Sequence, residues 1–443
     1  MSQMTAHDTA ATPRQGPDRL VVRPANAVRG TMRVPGDKSI THRGLLLGAI
    51  ARGRSRLRDY LPSADCLNTA AALRALGVRM EIGPNEIVID GAGAAGLTEP
   101  AGVLDLGNSG TALRLLTGLL AGQPFFSVVT GDDSLRRRPM QRVVEPLRAM
   151  GAQISGRRGG ELAPLAITGR RLNARLHTLP VASAQVKSAL LLAGLYADGV
   201  TGVTEPARSR DHTERLLKYF GVRPAVDGLT CRIEPQPLTA CDLAVPGDLS
   251  SAAFFIVAAT IVPGSELVIQ NVGLNPTRTG LLAILERMGA AIRIENRRES
   301  EAEPVGDLVV RAAPLVGVTV GPEEVPQTID EFPILCVAAA VAHGQTRIHG
   351  AGELRVKESD RIATMATELS KLGARIEERP DGLVIEGGAA LAGAVCDSHG
   401  DHRIAMALAV AGLAARGETT ITGAEWIETS FPGFAALLGA VTR

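Results

Sequence analysis

Long apolar stretches recur along the chain, and each is followed by the same short sequence. An apolar residue, a glycine and then Val or Ala return at intervals of about 70 residues, as in an internal repeat. Glycine is favoured where a helix ends in the left-handed conformation, so we expect each glycine to close a helix. The six sites are Leu76-Gly77-Val78, Met150-Gly151-Ala152, Phe220-Gly221-Val222, Met288-Gly289-Ala290, Leu372-Gly373-Ala374 and Leu438-Gly439-Ala440.

The pattern around each glycine predicts one common order of elements. An Ala-, Ser- and Leu-rich helix, a short β-branched strand and a second helix precede the glycine. After the first five sites come two short strands joined by a turn, for example at 78–82 and 87–90. Pro-Asn and Pro-Asp-Gly in these turns are typical of hairpins. We therefore predict six helix–strand–helix–strand–strand units.

The last unit has no hairpin of its own after Gly439. The N-terminal segment offers a spare hairpin, with strands at 20–23 and 31–34, which we expect to complete the sixth unit. The chain then divides into a flexible tail at 1–19, domain one at 20–34 plus 246–443, and domain two at 35–245. Val-Pro-Gly-Asp stands at both crossings, 34–37 and 245–248, and predicts a two-stranded hinge.

Composition excludes several classes of protein. The 443 residues are 45% hydrophobic and 21% charged, which suits two large folded cores. Lys+Arg number 47 and Asp+Glu 46, and this balance argues against a general polyanion binder. The five cysteines form no Cys-x-x-Cys pair, so we expect neither a disulfide scaffold nor structural zinc, and a reducing, cytoplasmic setting. No apolar run is long enough for a membrane span, and residues 1–19 do not resemble a signal peptide.

Small polar and charged residues gather where the helices of domain two begin. Lys38, Ser39 and Arg43 follow a strand and a glycine turn, where free N–H groups and the helix dipole favour an anion. In the sequence 107–111 (Gly-Asn-Ser-Gly-Thr), Gly110 would let a ligand approach the main chain. Similar positions are Arg136, Arg137, Arg138, Ser183, Ala184, Gln185 and Arg210. Each string taken singly is explained equally well by a helix cap, a tight turn or a solvated surface charge.

Domain one adds carboxylates to this set. Asp330 and Glu331 precede a very apolar helix, and either is a candidate proton acceptor. The sequences 357–361 (Lys-Glu-Ser-Asp-Arg) and 401–403 (Asp-His-Arg) open two further helices. A helix cap and surface ion pairs are the alternatives for these strings. Together, however, they stand at equivalent helix starts, so two faces of helix N-termini would meet across the hinge and form a cleft for two small anions.

In this order, the strings resemble the 3-phosphoshikimate 1-carboxyvinyltransferase family from about residue 20 to the C-terminus. The shared motifs are Pro-Gly-Asp-Lys-Ser-x-x-x-Arg, Gly-Asn-Ser-Gly-Thr, Arg-Arg-Pro-Met, Val-Lys-Glu-Ser-Asp-Arg and Gly-Asp-His-Arg. The resemblance implies an α/β fold, the two-domain inside-out α/β barrel of six βαβαββ repeats. The implied reaction, in the shikimate pathway of aromatic amino acid biosynthesis, transfers the enolpyruvyl group of phosphoenolpyruvate to the 5-hydroxyl of shikimate 3-phosphate and releases phosphate.

The resemblance also implies roles for individual residues, with no cofactor or metal. The expected partners are the two small substrates, without nucleic acid or membrane, and the enzyme is expected to be a cytoplasmic monomer. Shikimate 3-phosphate would be bound by Lys38, Ser39, Arg43, Ser183, Ala184, Gln185, Arg210, Asp330 and Lys357. Phosphoenolpyruvate would be bound by Lys38, Gly110, Arg138, Gln185, Arg361 and Arg403. The implied catalytic residues are Asp330 (base near the 5-hydroxyl), Glu358 (proton of the methylene carbon) and Lys38 (contact with both substrates).

Two positions depart from many members of the family. Thr429 stands where they have lysine, so the resemblance supplies no cationic proton donor there, and Leu115 stands where they have proline, as in the second sequence class. Gly110 is retained, and we expect inhibition by glyphosate, which resembles phosphoenolpyruvate. The alternatives are the sister transferase acting on UDP-N-acetylglucosamine, expected to have Asn where Ser39 stands, and a non-catalytic anion-binding repeat protein.

Overall fold

The computed structural model describes residues 16–443, and most of the predicted tail at 1–19 lies outside this range. The α-helices are α1 (Lys38–Ile50), α2 (Ala64–Ala75), α3 (Gly110–Ala121), α4 (Gln141–Ala149), α5 (Ala184–Gly194), α6 (His212–Tyr219), α7 (Leu249–Ile261), α8 (Gly280–Arg287), α9 (Val325–Thr328), α10 (Phe332–Val341), α11 (Arg361–Lys371), α12 (His402–Ala414) and α13 (Phe434–Val441). 

The strands lie between these helices in the predicted order. They are β1 (Arg19–Val22), β2 (Arg29–Arg33), β3 (Arg52–Arg58), β4 (Arg79–Ile82), β5 (Glu86–Ala92), β6 (Leu104–Asp105), β7 (Phe126–Thr130), β8 (Gln153–Arg157), β9 (Leu162–Thr168), β10 (Leu176–Thr178), β11 (Thr201–Thr204), β12 (Ala225–Asp227), β13 (Thr230–Ile233), β14 (Asp242–Ala244), β15 (Glu266–Gly273), β16 (Ala291–Ser300), β17 (Glu303–Arg311), β18 (Thr319–Val320), β19 (Gln345–Ile348), β20 (Arg375–Arg379), β21 (Gly382–Glu386), β22 (Val395–Asp397) and β23 (Thr419–Thr422).

The strands form one small sheet for each repeat. The six orders are β14-β3-β5-β4, β6-β7-β9-β8, β10-β11-β13-β12, β2-β15-β17-β16, β18-β19-β21-β20 and β22-β23-β1. In every sheet the first two strands of these orders are parallel, and the strands that follow pair antiparallel. Parallel neighbours require a crossover connection. The helices between the strands supply it in the four sheets that begin with β6, β10, β18 and β22.

The predicted N-terminal hairpin at 20–34 is wrong. Strand β1 pairs antiparallel with β23, with Leu20 opposite Ile421, whereas β2 joins a different sheet beside β15. The connection between β1 and β2 cannot fold back as a tight turn because its backbone hydrogen bonds go elsewhere. The N–H groups of Ala25 and Asn26 donate to the carbonyls of Leu413 and Arg443. The N-terminal segment therefore completes two sheets, with one strand in each.

The two Val-Pro-Gly-Asp segments exchange strands between repeats. Strand β2 leads into α1 but pairs with β15, and β14 leads into α7 but pairs with β3. The segments run antiparallel to each other: the Asp37 N–H donates to the Pro246 carbonyl over 2.8 Å, and the Asp248 N–H donates to the Pro35 carbonyl over 2.9 Å. Both chain crossings are thus fastened together at one place.

The repeated glycines end helices at five of the six predicted sites. Gly77, Gly151, Gly221, Gly289 and Gly373 have φ between 87° and 94°, in the left-handed region. The prediction is wrong for Gly439, which lies inside α13. The helix continues beyond Gly439 until the Thr442 N–H donates to the Leu438 carbonyl.

Buried hydrophobic side chains form two separate clusters. One lies in 22–34 and 249–441, here lobe one, and the other in 40–245, here lobe two. The clusters support the predicted division into two domains, which stays a prediction. Helices α7, α10 and α12 pack together inside lobe one, and α3 packs against both α1 and α5 inside lobe two. A Cβ on Gly118 of α3 would lie 2.2 Å from the Ala189 carbonyl of α5, so glycine permits this close approach.

Within residues 16–443, no helix combines the length and apolar character needed to cross a membrane. The same range holds no cluster of three or more His, Cys, Asp or Glu side chains placed to hold a metal ion.

Candidate active site

A cavity of about 380 Å³ lies where the N-terminal ends of inner helices from both lobes face each other. The helix starts in lobe two are capped by Asp37, Ser109 and Ser183, whose side chains each accept a backbone N–H of the first turn. Such caps leave other first-turn N–H groups free for a ligand. Predicted site residues that line the cavity are Lys38, Gly110, Arg138, Ser183, Ala184, Gln185, Arg210, Asp330, Lys357 and Glu358.

The Glu358 carboxylate joins the two lobes. Arg138 of lobe two lies 3.3 Å from Oε1, and Arg361 of lobe one donates to Oε2 over 2.7 Å. Burial alone would raise the pKa of Glu358, but Arg361, Arg138 and Lys38 outweigh it and hold the pKa well below its usual range. The carboxylate is therefore ionised at neutral pH beside two guanidinium groups.

The Asp330 carboxylate lies among more cations still. Arg210 of lobe two is 2.6 Å from Oδ2, while Arg361 and Arg403 lie at 3.6 and 3.8 Å. Burial favours a raised pKa here too, but Arg210, Arg403, Arg361 and Lys357 lower the pKa of Asp330 well below its usual value. Arg403 also donates to the Asp330 carbonyl over 2.9 Å, which ties the start of α12 to the start of α10.

Lys38 pairs with an acid that the sequence analysis did not single out. Its Nζ lies 3.3 Å from Oδ2 of Asp65, near the start of α2. Burial raises the pKa of Asp65, against the opposing effects of Lys38 and Arg138. Asp65 was missed because an acid in the first turn of a helix is commonplace. Its pairing with Lys38 depends on how α1 and α2 pack.

Gly110 lies close to two guanidinium groups. A Cβ at this position would lie 2.9 Å from Nη1 of Arg114 and 3.1 Å from Nη1 of Arg138. Arg114 donates to Gln185 Oε1 over 2.6 Å, and Gln185 donates to Thr111 Oγ1 over 2.9 Å. The start of α3 is thereby linked to the start of α5.

Four predicted site residues stand behind the cavity wall or beside it. Arg43 is buried and donates to Thr213 and Ser188, with distances of 2.6 and 2.8 Å. Arg361 donates to Asp401 over 2.8 Å. Its other carboxylate partners, Asp330 and Glu358, line the cavity. The other two are Ser39, whose carbonyl accepts from Arg43, and Arg403. The roles assigned to them stay predictions.

Further cavity-lining residues were not assigned a role from the sequence: Asp65, Asn108, Thr111, Arg114, Arg142, Ser209 and Glu353. Asn108 lies in the same motif as Gly110, and Arg114 follows shortly after that motif. This closeness in sequence was the signal by which the two residues could have been found. Asn108 accepts from Arg138 over 2.7 Å, and Arg142 pairs with Glu353 across the cleft at 2.9 Å. Thr429 does not line the cavity, and its hydroxyl donates to the Trp426 carbonyl.

Comparisons with known proteins agree over almost the whole chain. A family model described as EPSP synthase (3-phosphoshikimate 1-carboxyvinyltransferase) matches residues 22–438. A protein of that enzyme name from Geotalea uraniireducens is 56% identical over 420 residues, 95% of this chain and 98% of the relative.

Solved structures give the same result. An EPSP synthase from Acinetobacter baumannii superposes with a TM-score of 0.86 at 45% identity and covers 96% of this chain and 98% of its own. The enolpyruvyl transferase NikO from Streptomyces tendae, at 19% identity, shares the fold, with a TM-score of 0.75 and coverage of 96% and 97%. The fold is therefore the inside-out α/β barrel of enolpyruvyl transferases. The chain belongs to the EPSP synthase (3-phosphoshikimate 1-carboxyvinyltransferase) family.

Proposed function

We propose that the cavity between the lobes is where this chain carries out the reaction of its family. That reaction transfers the enolpyruvyl group of phosphoenolpyruvate to the 5-hydroxyl of shikimate 3-phosphate and releases phosphate. One observation carries the proposal. Two buried carboxylates, Asp330 and Glu358, share a single cavity with cations from both lobes, which suits the proton transfers of an addition–elimination between two anions.

Shikimate 3-phosphate would lie toward lobe two. Lys38, Ser39 and Arg43 come from the start of α1, and Ser183, Ala184 and Gln185 come from the start of α5. Free N–H groups at these starts, together with Arg210, suit a phosphate and ring hydroxyls. Lys357 of lobe one and Asp330 would then approach the other side of the ring.

Phosphoenolpyruvate would lie between Gly110 and the arginines of both lobes. Arg138 from lobe two and Arg361 and Arg403 from lobe one offer planar forks that match phosphate and carboxylate. Lys38 and Gln185 also line the cavity and would contact either substrate. Because the cations come from both lobes, the site is complete only when the lobes are close together.

The two carboxylates would divide the proton transfers. Asp330, held by Arg210, would accept the proton of the 5-hydroxyl as its oxygen attacks C2 of phosphoenolpyruvate. Substrate anions would occupy Arg138 and weaken the effect that lowers the pKa of Glu358, so that Glu358 can take up a proton and pass it to the methylene carbon. In the elimination, Glu358 would take a proton back from the resulting methyl group as the C–O bond to phosphate breaks. Asp330 would pass its proton to the departing phosphate, and the enol ether remains.

Phosphate release from the purified protein with both substrates tests this function. We expect turnover only when shikimate 3-phosphate and phosphoenolpyruvate are both present, and calorimetry should detect binding of the first alone. Binding without phosphate release would favour the anion-binding alternative. Turnover with UDP-N-acetylglucosamine in place of shikimate 3-phosphate would favour the sister reaction.

The chain is further proposed to act as a cytoplasmic monomer. Its cysteines are free and four of them are buried, which suits a reducing compartment. Both lobes of the proposed site belong to one chain, so no second copy is required to complete it. Light scattering on the eluted protein measures the oligomeric state directly.

A further inference from the structure

A group of three buried charges lies behind the cavity wall of lobe two. Lys187 is in the first two turns of α5 and is 4% exposed. Its Nζ lies 2.7 Å from Oε2 of Glu205 and 2.8 Å from Oε1 of Glu214, and both acids are also buried. Burial lowers the pKa of Lys187, but the two carboxylates outweigh it and raise the pKa, so the ammonium stays charged. None of the three lines the cavity or takes part in the proposed chemistry.

Glu205 connects two segments of the shikimate 3-phosphate side. Its Oε1 accepts the backbone N–H of Ser183 over 3.1 Å and also accepts the Ser209 hydroxyl. Ser183 caps α5 next to Ala184, and Ser209 immediately precedes Arg210. A single carboxylate therefore fixes the spacing between the α5 start and the arginine that faces it.

Glu214 leads to a third segment of the same side. It is next in sequence to Thr213, which accepts from Arg43 Nε, and Lys187 is next to Ser188, which accepts from Arg43 Nη2. The hydroxyls of Ser188 and Thr213 are also bonded to each other, at 2.6 Å. The ion pairs of Lys187 thus fix the distance between α5 and α6 at which Ser188 and Thr213 can both accept from the Arg43 guanidinium.

Stability alone does not explain this group. A buried ion pair gains little over apolar residues of the same volume, because desolvation of the charges opposes their attraction. The short bonds that these charges make in several directions instead fix the relative positions of the segments that carry them. On the phosphoenolpyruvate side, Arg138 donates to Asn108 and Arg403 donates to the Asp330 carbonyl, and neither bond involves this group.

We propose that Lys187 is a positioning residue for shikimate 3-phosphate, which acts through Glu205 and Glu214 on the three segments that carry Ser183, Arg210 and Arg43. The inference rests on the proposed function, because it uses the substrate side assigned there. Lys187 itself touches no substrate. Because the three segments lie on the shikimate 3-phosphate side, its removal should weaken binding of that substrate much more than binding of phosphoenolpyruvate.

Two variants test the inference by steady-state kinetics and calorimetry on the full chain. Lys187→Met keeps an unbranched stem but removes the ammonium group. Glu205→Gln keeps an acceptor for the Ser183 N–H while Lys187 retains Glu214. We expect the Kd and KM for shikimate 3-phosphate to rise about 10- to 100-fold in both, as for misplaced binding groups. The KM for phosphoenolpyruvate and kcat at saturation should stay within about threefold.

Lys371→Met is the matched control. Lys371 also pairs with a buried acid, Glu368, at 2.8 Å, but on α11 and away from the cavity wall. It should leave both KM values unchanged. Folding of each variant is checked by thermal unfolding, and Glu205→Gln carries the test if Lys187→Met does not fold.

The outcomes separate this inference from the proposed function. Wild-type turnover together with unchanged shikimate 3-phosphate binding in folded variants would overturn the positioning role alone. An equal loss for both substrates would also overturn it, since that indicates a general loosening of lobe two. Absence of phosphate release from the wild-type protein would instead count against the proposed function.

Discussion

At the scale of single residues, each carboxylate of the cavity is matched by several guanidinium groups. Glu358 has Arg138 and Arg361, and Asp330 has Arg210 with Arg361 and Arg403 nearby. In a buried setting these pairs fix the ionised form and the orientation of each acid. Anionic substrates would compete for the same arginines, so substrate binding would change the proton affinity of each carboxylate.

Replacing the Glu358 carboxylate by an amide should separate binding from chemistry. In Glu358→Gln we expect turnover to fall ~10²–10⁴-fold, because an amide cannot carry the proton for the methylene carbon. The Kd of shikimate 3-phosphate, measured by calorimetry, should be unchanged. Glu377→Gln on the exposed strand β20 is the control and should keep full activity. Wild-type turnover in Glu358→Gln would remove this residue from its proposed role.

A methyl group at position 110 should weaken the binding of one substrate, phosphoenolpyruvate. In Gly110→Ala the new Cβ meets the Arg114 and Arg138 guanidiniums at 2.9 and 3.1 Å, and their flexible ends must shift. We expect the KM for phosphoenolpyruvate to rise about 10- to 200-fold, the range for one methyl group in a tight site. Competition assays should show that glyphosate inhibits the wild-type protein at micromolar concentration and Gly110→Ala far less. Wild-type activity unaffected by millimolar glyphosate would contradict the expectation.

At the scale of elements, the two chain crossings share one buried arginine. Arg278 lies 3.0 Å from Asp37 and 2.9 Å from Asp248, the N-caps of α1 and α7. It also donates to the Ser250 hydroxyl over 2.7 Å. Burial would raise the pKa of Asp37, but Arg278 and other cations lower it to about 2. The helix that carries Lys38 is thus fastened to lobe one at its first residue.

Removal of Arg278 should be strongly destabilising. Arg278→Leu leaves buried carboxylates without their cation, and we expect a loss of about 3–5 kcal/mol in the free energy of unfolding. Urea unfolding measures this loss. Arg311→Leu removes an exposed pair with Glu266, which solvent and salt screen, so it should leave the free energy of unfolding almost unchanged. Similar losses in the two variants would show that the crossing is not held by Arg278.

At the scale of the whole molecule, a nearly neutral chain concentrates opposite charges at the cleft between its lobes. Arg138–Glu358, Arg142–Glu353 and Arg210–Asp330 are ion pairs that cross it. Each lobe also buries a histidine near the cleft: His42 in lobe two and His402 in lobe one. Burial and the neighbouring cations lower the pKa of both, to about 3 for His42, so both are neutral in the folded protein.

These histidines predict how stability depends on pH. The unfolded chain binds a proton at each below about pH 6.5, whereas folded His42 does so only near pH 3. The contribution of His42 is therefore complete above about pH 6.5 and is lost as pH falls toward 3, at about 1.4 kcal/mol per pH unit, and the contribution of His402 is lost in the same direction. His42→Asn should reduce the slope of unfolding free energy between pH 6.5 and 4.5 by that amount. The slope is measured by urea unfolding at several pH values, and an unchanged slope would show that His42 is not held neutral in the folded protein.

The sequence by itself determined the features that depend on short stretches of chain. Helix starts, strand pairs around a turn and five of the six terminal glycines follow from local propensity and repeat unit by unit. The charged strings at those starts were sufficient to indicate an anion-binding cleft. Asp330 could be named because it stands at the opening of an apolar helix, whereas the role of Glu358 came from the family resemblance.

Only the tertiary structure decided which distant segments meet. The exchange of β2 and β14 between sheets, the place of β1 beside β23 and the contact between Lys38 and Asp65 join residues far apart in sequence. The same is true of Arg278 and of Lys187 with its two acids. Such pairings depend on the packing of whole helices, because a buried charge is stable only where folding brings its partners within a few ångströms.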